Sequence, residues 1–272
     1  MCGVIGFAGP SSVKAALFFQ SLLIADEVRG KHSTGFVILN GPKPVLIKKA
    51  ISGGKFVQKG YTKLLFHRRF RMALGHNRLA TSGGVNDRNA HPFQINSPSG
   101  PCFGIHNGII HHTENLAEAF RIQKASVDSE TALRAIAHHA GSSESALIKS
   151  IEAVTAHIND EGNFAFLYLD PQSKVIYFWR SPDRPLTIFD ARKVGLGRWL
   201  TSTPEIFVSA WRPLMGLLPS IDRVSYFDAR PYTIYRVADD DTFEVEPIHR
   251  MKINVQRNAY PLFNEEGGER WY

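Results

Sequence analysis

Cys2 follows Met1 in the string Met1-Cys2-Gly3-Val4-Ile5-Gly6. Removal of a methionine that precedes a small residue leaves Cys2 with a free α-amino group beside its thiol. One residue then carries both a nucleophile and a base. An α-amino group titrates at roughly pH 7.7–8.0. The thiolate is the attacking form of cysteine, and amine activation of an N-terminal nucleophile is an established route to covalent catalysis. Taken alone, Cys2 reads equally well as a small apolar residue entering a first strand, because free cysteine is commonly buried.

Four more clusters carry chemistry-bearing side chains. Arg29-Gly30-Lys31-His32-Ser33-Thr34-Gly35 brackets polar residues with glycines, and by itself suits a helix end and turn. Gly75-His76-Asn77-Arg78-Leu79-Ala80-Thr81-Ser82-Gly83-Gly84 runs from a strand into a glycine-rich loop. Arg78 there can clamp a carboxylate in bidentate fashion, or make a surface ion pair. No Gly-Lys-Ser/Thr follows, so the loop is not a phosphate-binding P-loop. In His106-Asn107-Gly108-Ile109-Ile110, an Asn amide beside a Gly N–H offers two donors for an oxyanion. Losing one such donor costs an acyl-transfer enzyme about 3–4 kcal/mol. Local statistics instead favour a tight turn for Asn-Gly. Asp128-Ser129-Glu130-Thr131 reads as a helix cap, or as a carboxylate for a substrate ammonium.

The elements that must position these residues follow from periodicity. Val4–Gly9 reads as a buried strand. Ser11 or Ser12 caps a helix that runs through Val28 and stops at Gly30. Residues 35–39 and 45–47 read as strands joined by the turn signal Asn40-Gly41-Pro42. Residues 54–66 read as a helix and 70–76 as a strand. Residues 82–100 suggest a long loop, and 103–106 a strand. Helical patterns cover about 113–124, 128–140 and 144–157, and short strands recur from residue 164 to about 248. Strands, then helices, then strands indicate an α+β layered domain.

Bulk properties narrow the function classes. The chain has 272 residues, 43% of them apolar, with only Cys2 and Cys102 as cysteines. Two cysteines make no disulfide framework, so a reducing, cytoplasmic setting is expected. Neither a secretory leader nor an apolar run of about 18 residues is present, so no membrane association is expected. The net charge is +7, and His67-Arg68-Arg69-Phe70-Arg71 is the densest basic cluster. It lacks the interleaved aromatics of a base-stacking platform, so direct nucleic-acid binding is not expected. A solvated basic face or an acidic partner suits it better. His76, His91, His106, His111 and His112 have no metal-ligand spacing with the cysteines, and no metal or other cofactor is expected. Nothing in the sequence reports oligomeric state.

Taken in order, the clusters resemble the class II glutamine amidotransferases, the PurF-type glutaminases. Met1-Cys2-Gly3-Val4-Ile5-Gly6 looks like their start, and Arg29 to Gly35 is similar to their Arg-Gly-x-Asp-Ser-x-Gly. Gly75 to Thr81, Asn89-Ala90-His91-Pro92, His106 to Ile110 and Asp128-Ser129-Glu130 look like strings that follow in that family. Arg180 to Leu186 and Thr201 to Glu205 resemble later ones. The resemblance covers about residues 1–249. It implies a four-layer αββα N-terminal-nucleophile hydrolase sandwich over residues 1–250, with a polar C-terminal tail over 251–272.

It also implies roles. Cys2 attacks the side-chain amide of L-glutamine and forms a γ-glutamyl thioester. Asn107 and Gly108 hold the oxyanion. Arg78 binds the substrate α-carboxylate and Asp128 its α-ammonium, with Thr81 and Gly108 in the substrate site. Arg29 supports the site from behind. Three departures stand out: His32 replaces the usual aspartate, Leu79 the usual aromatic, and Ser82 the histidine of aminosugar synthases. With about twenty residues left after the domain, the expectation is a glutaminase that hands ammonia to a synthase or amidating enzyme in trans. The alternatives are a freestanding amide or γ-glutamyl hydrolase and a catalytically silent interaction module.

Overall fold

Alternation along single strands sorts the side chains into layers. In the first strand, β1 (Gly3–Ala8), Ile5 and Phe7 pack into one apolar cluster while Val4 and Ala8 pack into another. A strand with two buried faces belongs between two layers. The computed structural model describes residues 2–40, 43–160, 162–215 and 223–253. After β1 come α1 (Val13–Ala25), β2 (Ser33–Asn40), β3 (Lys43–Lys49), α2 (Gly53–Gln58), α3 (Leu64–His67) and β4 (Met72–Arg78). Then follow β5 (Phe93–Ser97), β6 (Gly100–Ile110), α4 (Thr113–Ala119), α5 (Asp128–His139) and α6 (Glu144–Ile158). The chain continues with β7 (Gly162–Asp170), β8 (Val175–Arg180), β9 (Thr187–Asp190), β10 (Arg198–Thr201), α7 (Pro204–Met215), β11 (Ser225–Asp228), β12 (Thr233–Ala238) and β13 (Val245–Arg250).

The strands form two antiparallel sheets, ordered β11-β9-β10-β1-β4-β2-β3 and β13-β12-β8-β7-β6-β5. Helices α1, α2, α3 and α7 cover the first sheet through Phe18, Phe19, Phe56, Leu65 and Phe207. Helices α4, α5 and α6 cover the second through Leu116, Leu133, Ile136 and Ile151. Between the sheets Val4, Leu74, Ile105 and Leu167 form the central layer. This is the four-layer αββα sandwich that the sequence resemblance implies. The outer core of the first sheet is aromatic: Phe18 meets Trp199 edge-on at 4.8 Å and Phe207 at 4.9 Å. Each such ring contributes roughly 2–3 kcal/mol by burial alone.

Local signals hold in several places. Ser12 caps α1, its hydroxyl accepting from the Ala15 N–H at 3.0 Å. Strands β2 and β3 pair as expected, although Gly41 and Pro42 of the turn signal lie outside the described residues. So do Met1 and residues 254–272 of the expected tail.

Other readings are corrected. Helix α1 ends at Ala25, and Asp26–Val28 tighten into a 3-10 turn. That turn buries Asp26 fully and leaves Val28 76% exposed, the reverse of what helical spacing predicts. The helix expected over 54–66 is two short helices interrupted around Gly60, whose φ of +79° suits glycine. The long loop expected over 82–100 contains β5.

Candidate active site

Three strand ends meet at one end of the central layer. Cys2 precedes β1 on the face of Val4, because strand side chains alternate. On β4, His76 and Arg78 share the face of Met72 and Leu74. On β6, Asn107 shares the face of Phe103 and Ile105. The Cys2 side chain is 8% exposed, and its thiol faces the Leu79 carbonyl at 3.5 Å. Arg29 holds the other end of the residue, its Nε–H donating to the Cys2 carbonyl at 2.9 Å. Burial pushes the thiol above its ordinary titration range; Arg78 pulls it back, and Asp128 adds to the rise. Both charged groups therefore lie within electrostatic reach of the sulfur. A thiol held up by burial needs a base beside it to become a nucleophile.

Arg78 and Asp128 are linked through the loop after β4. The Arg78 guanidinium donates to the Ser82 carbonyl and, at 3.2 Å, to the Gly84 carbonyl. The Ser82 hydroxyl donates to Asp128 Oδ1 at 3.0 Å. Arg78 is 2% exposed; burial lowers its pKa, while Cys2 and Asp128 favour the charged form. A guanidinium has five N–H donors, so two loop carbonyls leave capacity for a carboxylate.

Asp128 is not a helix cap. It is the first residue of α5, the cap position falls to Val127, and the Asp128 carboxylate turns into the site. Its Oδ2 accepts the Ile110 N–H at 3.0 Å, and Ser129 donates to Oδ1 at 3.4 Å. A carboxylate so held can anchor an ammonium group.

Nor do Asn107 and Gly108 form a turn. They lie inside β6, opposite Ala165 and Phe164 of β7. Strand β5 pairs with β6 only as far as Gly104, so the edge at Asn107 and Gly108 is not covered by it. The Asn107 amide is fully buried, and neither its nitrogen nor its oxygen has a hydrogen-bond partner. Such a group costs roughly 1–3 kcal/mol to leave unsatisfied, and native structures keep few of them. Gly108 has φ +153°, and an added Cβ would lie 1.9 Å from the Asn163 carbonyl oxygen, so only glycine fits.

Thr81 stands apart from this cluster with an exposed side chain. Two features escaped the sequence reading. Arg184 feels both Arg29 and Cys2 electrostatically, so the 180–186 string reaches the site. The buried carboxyl of Asp26 is the other. An added Cβ on Gly3 would lie 1.6 Å from its Oδ2, so it presses on the residue after Cys2. The only signal for Arg184 was its place in the late family string; Asp26 had none. His76 Nε2 donates to the His106 carbonyl at 2.9 Å, His106 Nδ1 meets the Ser129 hydroxyl at 2.8 Å, and burial lowers the pKa of His76, His91 and His106. Among the described residues no three His, Cys, Asp or Glu side chains are grouped to hold a metal ion. No described helix is long and apolar enough to cross a membrane. Leu79 also lines a cleft of about 510 Å³ with Glu27, Arg29, Lys31, His32 and Glu205.

Comparison with known proteins places this geometry in a family. The model for class-II glutamine amidotransferases matches residues 50–184. The chain is 30% identical over 277 residues to the isomerizing glutamine–fructose-6-phosphate aminotransferase of Thermococcus kodakarensis, covering 97% of this chain and 42% of that protein. It thus spans about two fifths of the length of that relative. Among solved structures, the glutamine phosphoribosylpyrophosphate amidotransferase of B. subtilis superposes with a TM-score of 0.66 at 21% identity, over 88% of this chain and 47% of that one. A glutamine aminotransferase class-II domain protein from Silicibacter pomeroyi gives 0.51 at 14% identity, over 88% and 95%. These two likenesses speak for the fold.

Proposed function

The chain carries a class II glutamine amidotransferase domain, and on that premise we propose that it hydrolyses the side-chain amide of L-glutamine at Cys2. The observation that carries this reading is the placement of Arg78 and Asp128 within electrostatic reach of one buried thiol, with the partnerless amide of Asn107 on the inner face of the opposite sheet. Arg78 takes the substrate α-carboxylate and Asp128 the α-ammonium, with Gly108 beside them and Thr81 at the rim. This sets the side-chain amide over Cys2.

The chemistry then follows. With Met1 removed, the Cys2 α-amino group accepts the thiol proton. The sulfur attacks the amide carbon, and a C–S bond forms. The Asn107 amide N–H and the Gly108 N–H stabilise the oxyanion. Collapse breaks the C–N bond, the α-ammonium returns its proton to the leaving nitrogen, and ammonia departs. Water, deprotonated by the same amine, attacks the γ-glutamyl thioester. Glutamate leaves and the thiol is restored. Arg29 fixes the backbone of the nucleophile throughout. We further propose that the ammonia serves a synthase or amidating partner acting in trans.

Intact mass tests the first step, since mature protein should begin at Cys2. Purified protein should release glutamate from glutamine, and a glutamine-like electrophile should label Cys2 alone. Retained Met1 in folded native protein, with neither turnover nor label, would overturn the reading in favour of a silent module. Adding the synthase partner with its acceptor should raise turnover. Unchanged turnover would favour a freestanding hydrolase.

A further inference from the structure

His32 occupies the position where the family resemblance calls for an aspartate, and the structure shows what it does there. The segment 29–32 lies backbone against backbone on the end of β4. An added Cβ on Gly30 would sit 2.4 Å from the Arg78 carbonyl carbon and 2.5 Å from the Leu79 nitrogen. The His32 N–H donates to the Arg78 carbonyl at 3.0 Å. In return the Ala80 N–H donates to His32 Nδ1 at 2.9 Å. Those two bonds straddle Leu79, whose carbonyl faces the Cys2 thiol. They also fix the root of the loop that carries Ser82, and Ser82 ties Arg78 to Asp128.

An aspartate at position 32 would accept from Ala80 throughout the neutral range. An imidazole nitrogen accepts only while it carries no proton, and histidine is the side chain whose ordinary titration falls between pH 5 and 8. A protonated Nδ1 would face the Ala80 N–H donor to donor. The charged groups in the cleft that His32 lines are Glu27, Arg29 and Lys31 on the adjoining chain and Glu205 on α7, and Arg78 on β4 meets His32 through its carbonyl. Water reaches His32, since the ring is exposed. The ring can therefore exchange protons without opening the fold.

We propose that His32 is a positioning residue that latches the Arg78 loop through its unprotonated Nδ1, so that acid loosens the glutamine site. Its activity arm rests on the glutaminase reading; its structural arm does not. The latch sits outside the chemistry and acts on substrate binding, through the loop that presents Arg78 and Ser82.

The test compares wild type with His32→Asn and His32→Ala. Asparagine places a neutral acceptor, Oδ1, close to where Nδ1 stands, and it does not titrate. Alanine removes the acceptor. Amide exchange at Ala80 is read at pH 8 and pH 5.5, and variant-to-wild-type ratios cancel the intrinsic pH dependence of exchange. At pH 8 wild type and His32→Asn should protect Ala80 alike, with His32→Ala about fivefold less protected, the worth of one ordinary hydrogen bond. At pH 5.5 wild type should fall to the alanine level while asparagine holds. A wild-type to asparagine ratio that is the same at both pH values overturns the latch. In glutamine turnover, KM of wild type relative to His32→Asn should rise about threefold to tenfold from pH 8 to pH 5.5, with the kcat ratio steady. A pH-independent KM ratio overturns the coupling to substrate. If no variant turns over glutamine at any pH, the function reading fails, and the exchange ratios still judge the latch.

Discussion

Cys2 and Cys102 are both buried and both free of disulfides, yet they sit in opposite surroundings. Cys2 points into the layer between the sheets, where Arg78 favours its thiolate. Cys102, on β6, points away from that layer into the core under α5. Its thiol donates to the Ile95 carbonyl at 3.2 Å, and burial pushes it up to about 12. The aspartates repeat the contrast. Asp128 is buried with three donors around its carboxylate, the Ile110 N–H and the Ser82 and Ser129 hydroxyls. Asp26 is buried with none, and burial pushes it up to about 8 despite Arg29 nearby. Residue type and burial do not separate the members of either pair. The neighbours do, and on the proposed function they set which thiol reacts and which carboxyl holds a cation.

The largest effect should separate the cysteines. Cys2→Ala should lower glutaminase kcat/KM by on the order of 10⁴-fold or more, as removal of a nucleophile does, while Cys102→Ala stays within about twofold of wild type. Steady-state glutamate release measures both, and similar losses in the two variants would erase the distinction. Next comes the partnerless amide on β6. Asn107→Ala should cut kcat by about 10²–10³ with KM little changed, the usual cost of one oxyanion donor. A normal kcat would make its partnerless amide a packing accident. Third is the proposed substrate clamp. Asp128→Asn should raise KM for glutamine at least about tenfold, through loss of a charged contact. An unchanged KM would remove Asp128 from the ammonium site.

Much of this site could be read in the sequence, because its motifs come in a fixed order along one chain. That order singles out Cys2, Arg78 and Asp128, which the structure brings together, and it also implies the layers. What local reasoning got wrong shares one physical cause. Asn107-Gly108 has turn statistics, but eight paired residues of β7 carry β6 straight through it, from Phe103 to Ile110. Asp128 has cap statistics, but Ile110 and Ser82 claim its oxygens. Val28 completes an apolar stripe on paper, but the 3-10 turn rolls it outward and rolls Asp26 in. In each case a partner more than fifteen residues away, or a tightened turn, overrides a preference worth about 1 kcal/mol or less. Asp26 was invisible for the same reason: nothing in Ile24–Val28 says that one carboxyl will end under Gly3.

That hidden carboxyl gives the smallest and cleanest difference between the two aspartates. In the unfolded chain Asp26 loses its proton near its ordinary value of 3.8; in the folded chain it keeps it to about 8. Between those values the folded state binds more protons than the unfolded one. Stability conferred at this position is therefore present in acid and is lost as pH rises, with the loss complete above about pH 8. Asp26→Asn has the same shape and no proton to lose. The stability of Asp26→Asn minus that of wild type should thus grow by about 1 kcal/mol for each pH unit from 5 to 7, read from urea unfolding at pH 5, 6 and 7. A difference that stays flat over that range would mean that the carboxyl is ionised in the folded protein and has Arg29 as its partner. Asp26 would then belong with Asp128, as a held carboxylate, and the contrast between the two would vanish.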